Sequence, residues 1–187
     1  MRCAGFVLTG GQSRRMGRDK ALLPFGGGTL VEHLAGLAGE VAAPVALIGA
    51  PERYAGLGLE ALGERYAGCG PLSGIEAALS LERADWNLIL ACDAVGVTRA
   101  MLDGLLAAAE KEQEAAVVAV LGADQRVNPL CAVWHAKAVG AVRGALEAGR
   151  YRVQEVAREA GLAVVEAGAE VQNINTPADW AAAVEGR

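Results

Sequence analysis

Short apolar runs and amphipathic stretches alternate along the chain. The runs Ala4 to Leu8, Val45 to Ile48, Trp86 to Ala91, Ala115 to Leu121 and Leu162 to Glu166 have the length and composition of buried strands. Between them apolar residues recur at helical spacing. Leu30, Leu34 and Leu37 predict a helix from a Thr29 cap to about Glu40; Ile75 and Leu79 predict one from about Ser73 to Ala84. Met101, Leu102, Leu105 and Leu106 predict one over Arg99 to Gln113. Further helical stretches fall at about Ala136 to Glu147 and Arg152 to Ala160. Thr176 caps a last helix through Val184, with Pro177 and Asp179 in its first turn. Pro51 to Cys69 is weakly patterned and glycine-rich, with room for one short strand near Leu57 to Leu62. Pro129 predicts that the strand running through Trp134 either starts there or lies at a sheet edge.

Alternation of strand, helix and strand implies an α/β fold with a parallel sheet and right-handed crossovers. A length of 187 residues suits a single domain over 1–187, since no repeat, linker or low-complexity tract divides it. Apolar residues make up 53% and charged residues 21%, a globular composition, and the formal charge of −5 argues against nucleic-acid or anionic-membrane partners. No apolar run approaches membrane-spanning length, and no signal peptide is read ahead of the first strand, so a soluble cytoplasmic protein is expected. Cys3, Cys69, Cys92 and Cys131 form no C-x-x-C pair and read as reduced thiols, with Cys92 and Cys131 expected in buried strands. His33 and His135 are isolated, and no Ser-His-Asp arrangement or nucleophile elbow appears, so covalent catalysis is not supported.

The acidic chain has one basic exception. After the first strand, AGFVLTGGQSRRMGRDKALLPF (Ala4 to Phe25) places Gly10 and Gly11 at the strand's end, then Arg14, Arg15, Arg18 and Lys20 with Asp19 among them. Flexible backbone, amide donors and concentrated positive charge are what a polyphosphate needs. The segment is neither a Walker loop, since Arg18 and Asp19 follow Gly17, nor a dinucleotide fingerprint, whose glycine spacing it lacks. A solvated glycine turn is the plain alternative. Two other sites stand out. Asp93 ends the most apolar strand, where a carboxylate projects into the crevice that takes ligands in open α/β folds and can ligate Mg²⁺; a turn former is the alternative. Asn173 and Asn175 in VQNIN face the same side of an extended segment and either hold a ligand or satisfy loop backbone.

Taken together, LTGGQSRRMGRDKALLPF (Leu8 to Phe25), GPLSGI (Gly70 to Ile75), ACD (Ala91 to Asp93) and NINTPADW (Asn173 to Trp180) resemble the molybdenum cofactor guanylyltransferase family, in the family's order and over nearly the whole chain. The resemblance implies a three-layer Rossmann-like sandwich with a mostly parallel sheet, the nucleotidyltransferase fold. It implies a Mg²⁺-dependent enzyme that joins GMP from GTP to the phosphate of molybdenum-bearing molybdopterin and releases pyrophosphate, with molybdoenzyme apoproteins or their chaperones as further partners. Carried over residue by residue, Leu8, Thr9, Gly10, Gly11, Gly70 and Pro71 would contact the nucleotide, and Arg15 and Lys20 its phosphates. Asp93 would hold the Mg²⁺, and Asn173 and Asn175 would form the acceptor side.

The chain departs from the family pattern in three places. Ala94, Val95 and Gly96 stand where a proline usually follows the metal aspartate. Only Glu60 and Glu64 precede GPL where an aspartate is expected, and Gly49 ends the second strand where asparagine is frequent. A related cytidylyl- or sugar-phosphate nucleotidyltransferase, or a non-catalytic nucleotide-binding partner in molybdoenzyme maturation, are the alternative functions.

Overall fold

The computed structural model describes residues 1–10, 19–122, 125–166, 171–174 and 176–185. In chain order the strands are β1 (Cys3–Leu8), β2 (Pro24–Phe25), β3 (Gly28–Thr29), β4 (Val45–Ile48), β5 (Ala61–Leu62), β6 (Trp86–Ala91), β7 (Ala94–Val95), β8 (Val117–Leu121), β9 (Val127–His135), β10 (Leu162–Glu166) and β11 (Gln172–Asn173). The helices are α1 (Leu30–Gly39), α2 (Pro51–Tyr54), α3 (Pro71–Ser80), α4 (Arg99–Lys111), α5 (Val139–Glu147), α6 (Val153–Glu159) and α7 (Pro177–Glu185).

Seven strands form one sheet in the order β10-β8-β9-β6-β1-β4-β5, and two short antiparallel pairs, β11-β7 and β2-β3, lie outside it. Every neighbour pair in the large sheet is parallel except the two made by β9, so β9 alone runs against the rest. This is the mostly parallel α/β sheet expected. Because successive side chains alternate faces, the sheet builds two cores. Cys3 and Val7 of β1 with Leu88 and Leu90 of β6 pack against α1 and α4. Ala4, Phe6 and Leu8 with Ile89 pack on the other side against α3, α5 and α6.

The strands expected from the apolar runs hold nearly to their bounds, and several other elements are corrected. The segment near Leu57 to Leu62 is mostly not a strand: it follows α2, begins at the end of a 3-10 turn over Ala55–Leu57, and places only Ala61–Leu62 in the sheet. The helix expected from Ser73 begins two residues earlier, because Gly70 adopts φ 70°, ψ −162° and Pro71 occupies the first helical position. It also stops at Ser80 rather than Ala84, where Glu82 turns to φ 51°. The stretch Ala136 to Glu147 divides into a 3-10 turn, Ala136–Ala138, and α5.

Pro129 is neither at a strand start nor at an edge. It lies inside β9 between β6 and β8, at a bulge where the register jumps from Ala119↔Ala132 to Val120↔Asn128. The bulge removes the need for a ladder N–H at the proline. The Pro129 carbonyl instead accepts from Trp134 Nε1 at 3.0 Å, deep in the core. Cys131 is buried in β9 as expected, whereas Cys92 is half-buried just beyond β6. Burial first pushes both thiols up to about 12; for Cys92 the neighbouring Asp93 and Asp19 carboxylates add to it.

α3 and α5 are tied by the buried carboxylate of Glu76. Arg143 Nε donates to Glu76 Oε1 at 2.7 Å, and the Ser80 hydroxyl donates to the same oxygen at 2.7 Å while accepting from Arg143 at 2.8 Å. Among the described residues no helix is long and apolar enough to cross a membrane. At the start of α1, Thr29 and Glu32 form a reciprocal capping box in which Thr29 N donates to Glu32 Oε2 at 2.8 Å. Thr29→Ala is expected to cost about 1 kcal/mol, read from the urea midpoint at constant slope.

Candidate active site

The direction of the chain through the sheet reverses between β1 and β6. From β1 it passes outward to β4 and β5; from β6 it passes the other way, to β8, β9 and β10. The crevice above the carboxyl ends of these adjacent strands is the switch point at which open α/β sheets take ligands. Leu8 pairs with Ala91, and Cys92 N donates to Leu8 O at 3.0 Å, so Thr9 and Asp93 leave the sheet as neighbours.

Lys20 returns to this crevice on a 3-10 turn, Lys20–Leu22, whose flanking Ala21 and Leu23 are buried. Asp19 caps the turn by accepting from Ala21 N at 3.0 Å. Lys20 Nζ then donates to Asp93 Oδ2 at 3.2 Å, with the two side chains 12% and 23% exposed. The structure therefore brings together two charged residues that sequence singled out 73 positions apart. Asp93 is held from below by β6 and from the side by β7, which pairs with β11 in the register Ala94↔Asn173; Ile174 N donates to Asp93 O at 3.0 Å. This rung of sheet fixes the carboxylate where the family's proline is missing. It also puts the backbone of Asn173 beside the site.

Gly11 and Arg15 lie outside the described residues, as do Asn175 and the side chain of Asn173. Of the other expected nucleotide contacts, the Leu8 side chain is core, 5% exposed. The buried Thr9 hydroxyl donates to Ile48 O at 3.0 Å. The side chains of this pair are thus occupied by the fold, and Gly10 carries the exposed backbone. Gly70 and Pro71 open α3, whose first turn has no side-chain cap.

Glu64, noted in the sequence only as a stand-in for a missing aspartate, reaches this side of the crevice. A Cβ on Gly10 would lie 2.6 Å from its Oε1, and one on Gly74 3.3 Å, so the carboxylate sits between the end of β1 and the first turns of α3. Burial raises its pKa above the usual carboxylate range. The fully buried Ser73 hydroxyl offsets part of that rise without a partner at hydrogen-bond length. Gly49 is also accounted for: a Cβ there would stand 2.3 Å from Thr9 Oγ1 and 3.1 Å from Gly10 N, leaving no space for asparagine.

On the other side of Asp93 a cleft of about 1120 Å³ opens between the β8 and β9 ends, α6 and α7. Arg126, Asn128, Pro129, Arg152, Arg158 and Ile174 are among the residues that line it. Sequence reasoning missed these arginines, which belong to no motif and are collected only by the fold. Among the described residues no group of three or more His, Cys, Asp or Glu is set to hold a metal. A single partly exposed carboxylate does suit Mg²⁺ that takes its remaining ligands from substrate phosphates and water.

A family model described as the MobA-like NTP transferase domain matches residues 5–164. The chain belongs to the MobA-like NTP transferase family. It is 35% identical over 190 residues to a probable molybdenum cofactor guanylyltransferase of Mycobacterium marinum, covering 97% of this chain and 92% of that one. It is 33% identical over 189 residues to a protein of the same name from Pelotomaculum thermopropionicum, covering 96% and 90%. In fold it is similar to molybdopterin-guanine dinucleotide biosynthesis protein A from Archaeoglobus fulgidus, with a TM-score of 0.81 at 21% identity over 97% of both chains. As a MobA-like NTP transferase it is a nucleotidyltransferase, and the crevice between β1 and β6 is its candidate active site.

Two stability measurements follow from this geometry. Gly49→Asn is expected to cost about 1–3 kcal/mol through overpacking against Thr9 and Gly10, whereas Gly56→Ala, with nothing within 4 Å of the added Cβ, should stay within about 0.5 kcal/mol. For Glu64, a raised pKa means that the folded chain holds the proton more tightly than the unfolded chain. Its contribution is therefore full below the ordinary carboxylate pKa and lost as pH rises through the raised value. Glu64→Gln should gain stability relative to the parent as pH rises from 4 to 7, by denaturant unfolding at each pH.

Proposed function

We propose that this MobA-like transferase moves GMP from GTP to the phosphate of molybdenum-bearing molybdopterin in the cytoplasm, yielding the guanine dinucleotide cofactor and pyrophosphate. The observation that carries this reading is the Lys20–Asp93 pair standing between two different surroundings. On one side Gly10 and Gly74 approach the Glu64 carboxylate; on the other lies the arginine-bearing cleft. The relatives' names supply the acceptor.

An ionised oxygen of the acceptor phosphate attacks the α-phosphorus of GTP in line. The bond from that phosphorus to the bridging oxygen of the β-phosphate breaks, and pyrophosphate leaves with the electron pair. The attacking oxygen carries its charge at neutral pH, so no general base is required. Positioning and charge neutralisation are the protein's share. Lys20, with Arg15, offsets the charge that grows toward pyrophosphate. Asp93 would hold a Mg²⁺, which would supply further charge neutralisation. Glu64 between Gly10 and Gly74 accepts hydrogen bonds from the base or ribose, a role open to a carboxylate but not toward phosphates. Arg126, Arg152 and Arg158 receive the anionic acceptor in the cleft, and Asn173 and Asn175 serve the acceptor side.

The test is nucleotide-dependent stabilisation followed by turnover. GTP with Mg²⁺ at ~100 times its Kd is expected to add ~2.7 kcal/mol of stability, visible as a thermal shift that CTP, UTP and ATP do not match. Stabilisation by CTP alone would overturn the guanylyl reading. With molybdopterin acceptor, Lys20→Ala should lower kcat ~100-fold, and Asp93→Ala should abolish Mg²⁺-dependent pyrophosphate release.

A further inference from the structure

Helix α2 is the element the sequence concealed, and its last residue touches both ends of the basic segment. Tyr54 is 1% exposed. Its hydroxyl donates to Asp19 Oδ2 at 2.9 Å and lies 3.5 Å from the Thr9 carbonyl. With one proton to give, the phenol spends it on the carboxylate and keeps the carbonyl as a close neighbour. The other oxygen of Asp19 caps the 3-10 turn that carries Lys20, and Arg53, beside Tyr54 on α2, approaches Asp19 Oδ2 at 3.8 Å. A continuous set of contacts thus runs from α2 through Asp19 to Lys20 and Asp93. Burial and the Asp19 carboxylate both raise the Tyr54 pKa, so the phenol remains a donor at working pH.

We propose that Tyr54 is a positioning residue: its hydroxyl holds Asp19 beside Thr9 and thereby fixes Lys20 against Asp93. The consequence for catalysis rests on the reading that Lys20 acts on the phosphates of the nucleotide. The placement of Lys20 does not, and the two are tested separately.

Tyr54→Phe keeps the buried ring and removes only the hydroxyl. Placement is read by limiting acetic anhydride labelling and mass spectrometry, with the exposed Lys111 as internal standard. Lys20 labelling is expected to rise several-fold in Tyr54→Phe, and likewise in Asp19→Asn, which weakens the same bond from the other side and serves if the tyrosine variant folds poorly. Unchanged Lys20 labelling in the folded variants overturns the proposal, whatever the activity. Turnover is read as a double-mutant cycle: Tyr54→Phe should lower kcat ~10-fold in the parent and not further in a Lys20→Ala background. An equal loss in both backgrounds would assign Tyr54 a general structural role and overturn its link to Lys20. Raised labelling without any transfer from GTP supports the placement and refutes the guanylyl reading alone.

Discussion

A lysine and a carboxylate meeting at 3.2 Å above two adjacent strands set the terms for their surroundings. At 12% and 23% exposure both charges have given up most of their water, and neither can be left alone at that cost. Such a pair adds little net stability, because its attraction mainly repays desolvation. What it demands is placement. The register of β1 with β6 sets Asp93, the rung between β7 and β11 keeps it from turning away, and the capped 3-10 turn brings Lys20 across. In the proposed reaction Lys20 would turn to the triphosphate, and Asp93 would be the residue left to hold a cation, so each charge has a partner with or without the nucleotide.

The departures from the family pattern are compensated nearby by different means. Without a proline after Asp93, the chain stiffens that loop by pairing Ala94–Val95 with Gln172–Asn173. Gly49 is not a lost asparagine awaiting a substitute, since Thr9 and Gly10 have closed over the position. Glu64 is one methylene longer than the aspartate expected before GPL, and glycines at 10 and 74 leave room for its carboxylate. Small residues on two elements thus accommodate a longer acid on a third, a coupling that no single motif displays.

Legibility in the sequence followed burial. β1, β4 and β6 were readable almost to the residue because strands inside a parallel sheet lose most contact with water, and a continuous apolar run of four to six residues between turn formers fits little else. Asp93 was conspicuous as a charge at the end of a buried strand, and Lys20 as part of the basic segment that follows β1. The rest was hidden for particular reasons. PERY is one turn long, too short for periodicity to reveal, and Tyr54 reads as an ordinary aromatic until its hydroxyl is seen between Thr9 and Asp19. Pro129 argued against a central strand because a bulge is invisible in composition. Arg126 precedes β9 while Arg152 and Arg158 belong to the start and end of α6, and only the approach of α6 to the β9 end makes them one wall.

In the proposed function that wall is what lets an acidic protein receive an acidic acceptor. A formal charge of −5 repels anions at long range, but screening confines this to about 8–10 Å at physiological salt. Inside a cleft with low-dielectric walls the nearest charges dominate, and the lining sets the guanidinium groups of Arg126, Arg152 and Arg158 against the carboxylates of Glu155 and Asp179. The Arg152 pair with Glu155 is exposed, at 83% and 45%, and an exposed pair of that kind is worth little, so its guanidinium exchanges partner at small cost.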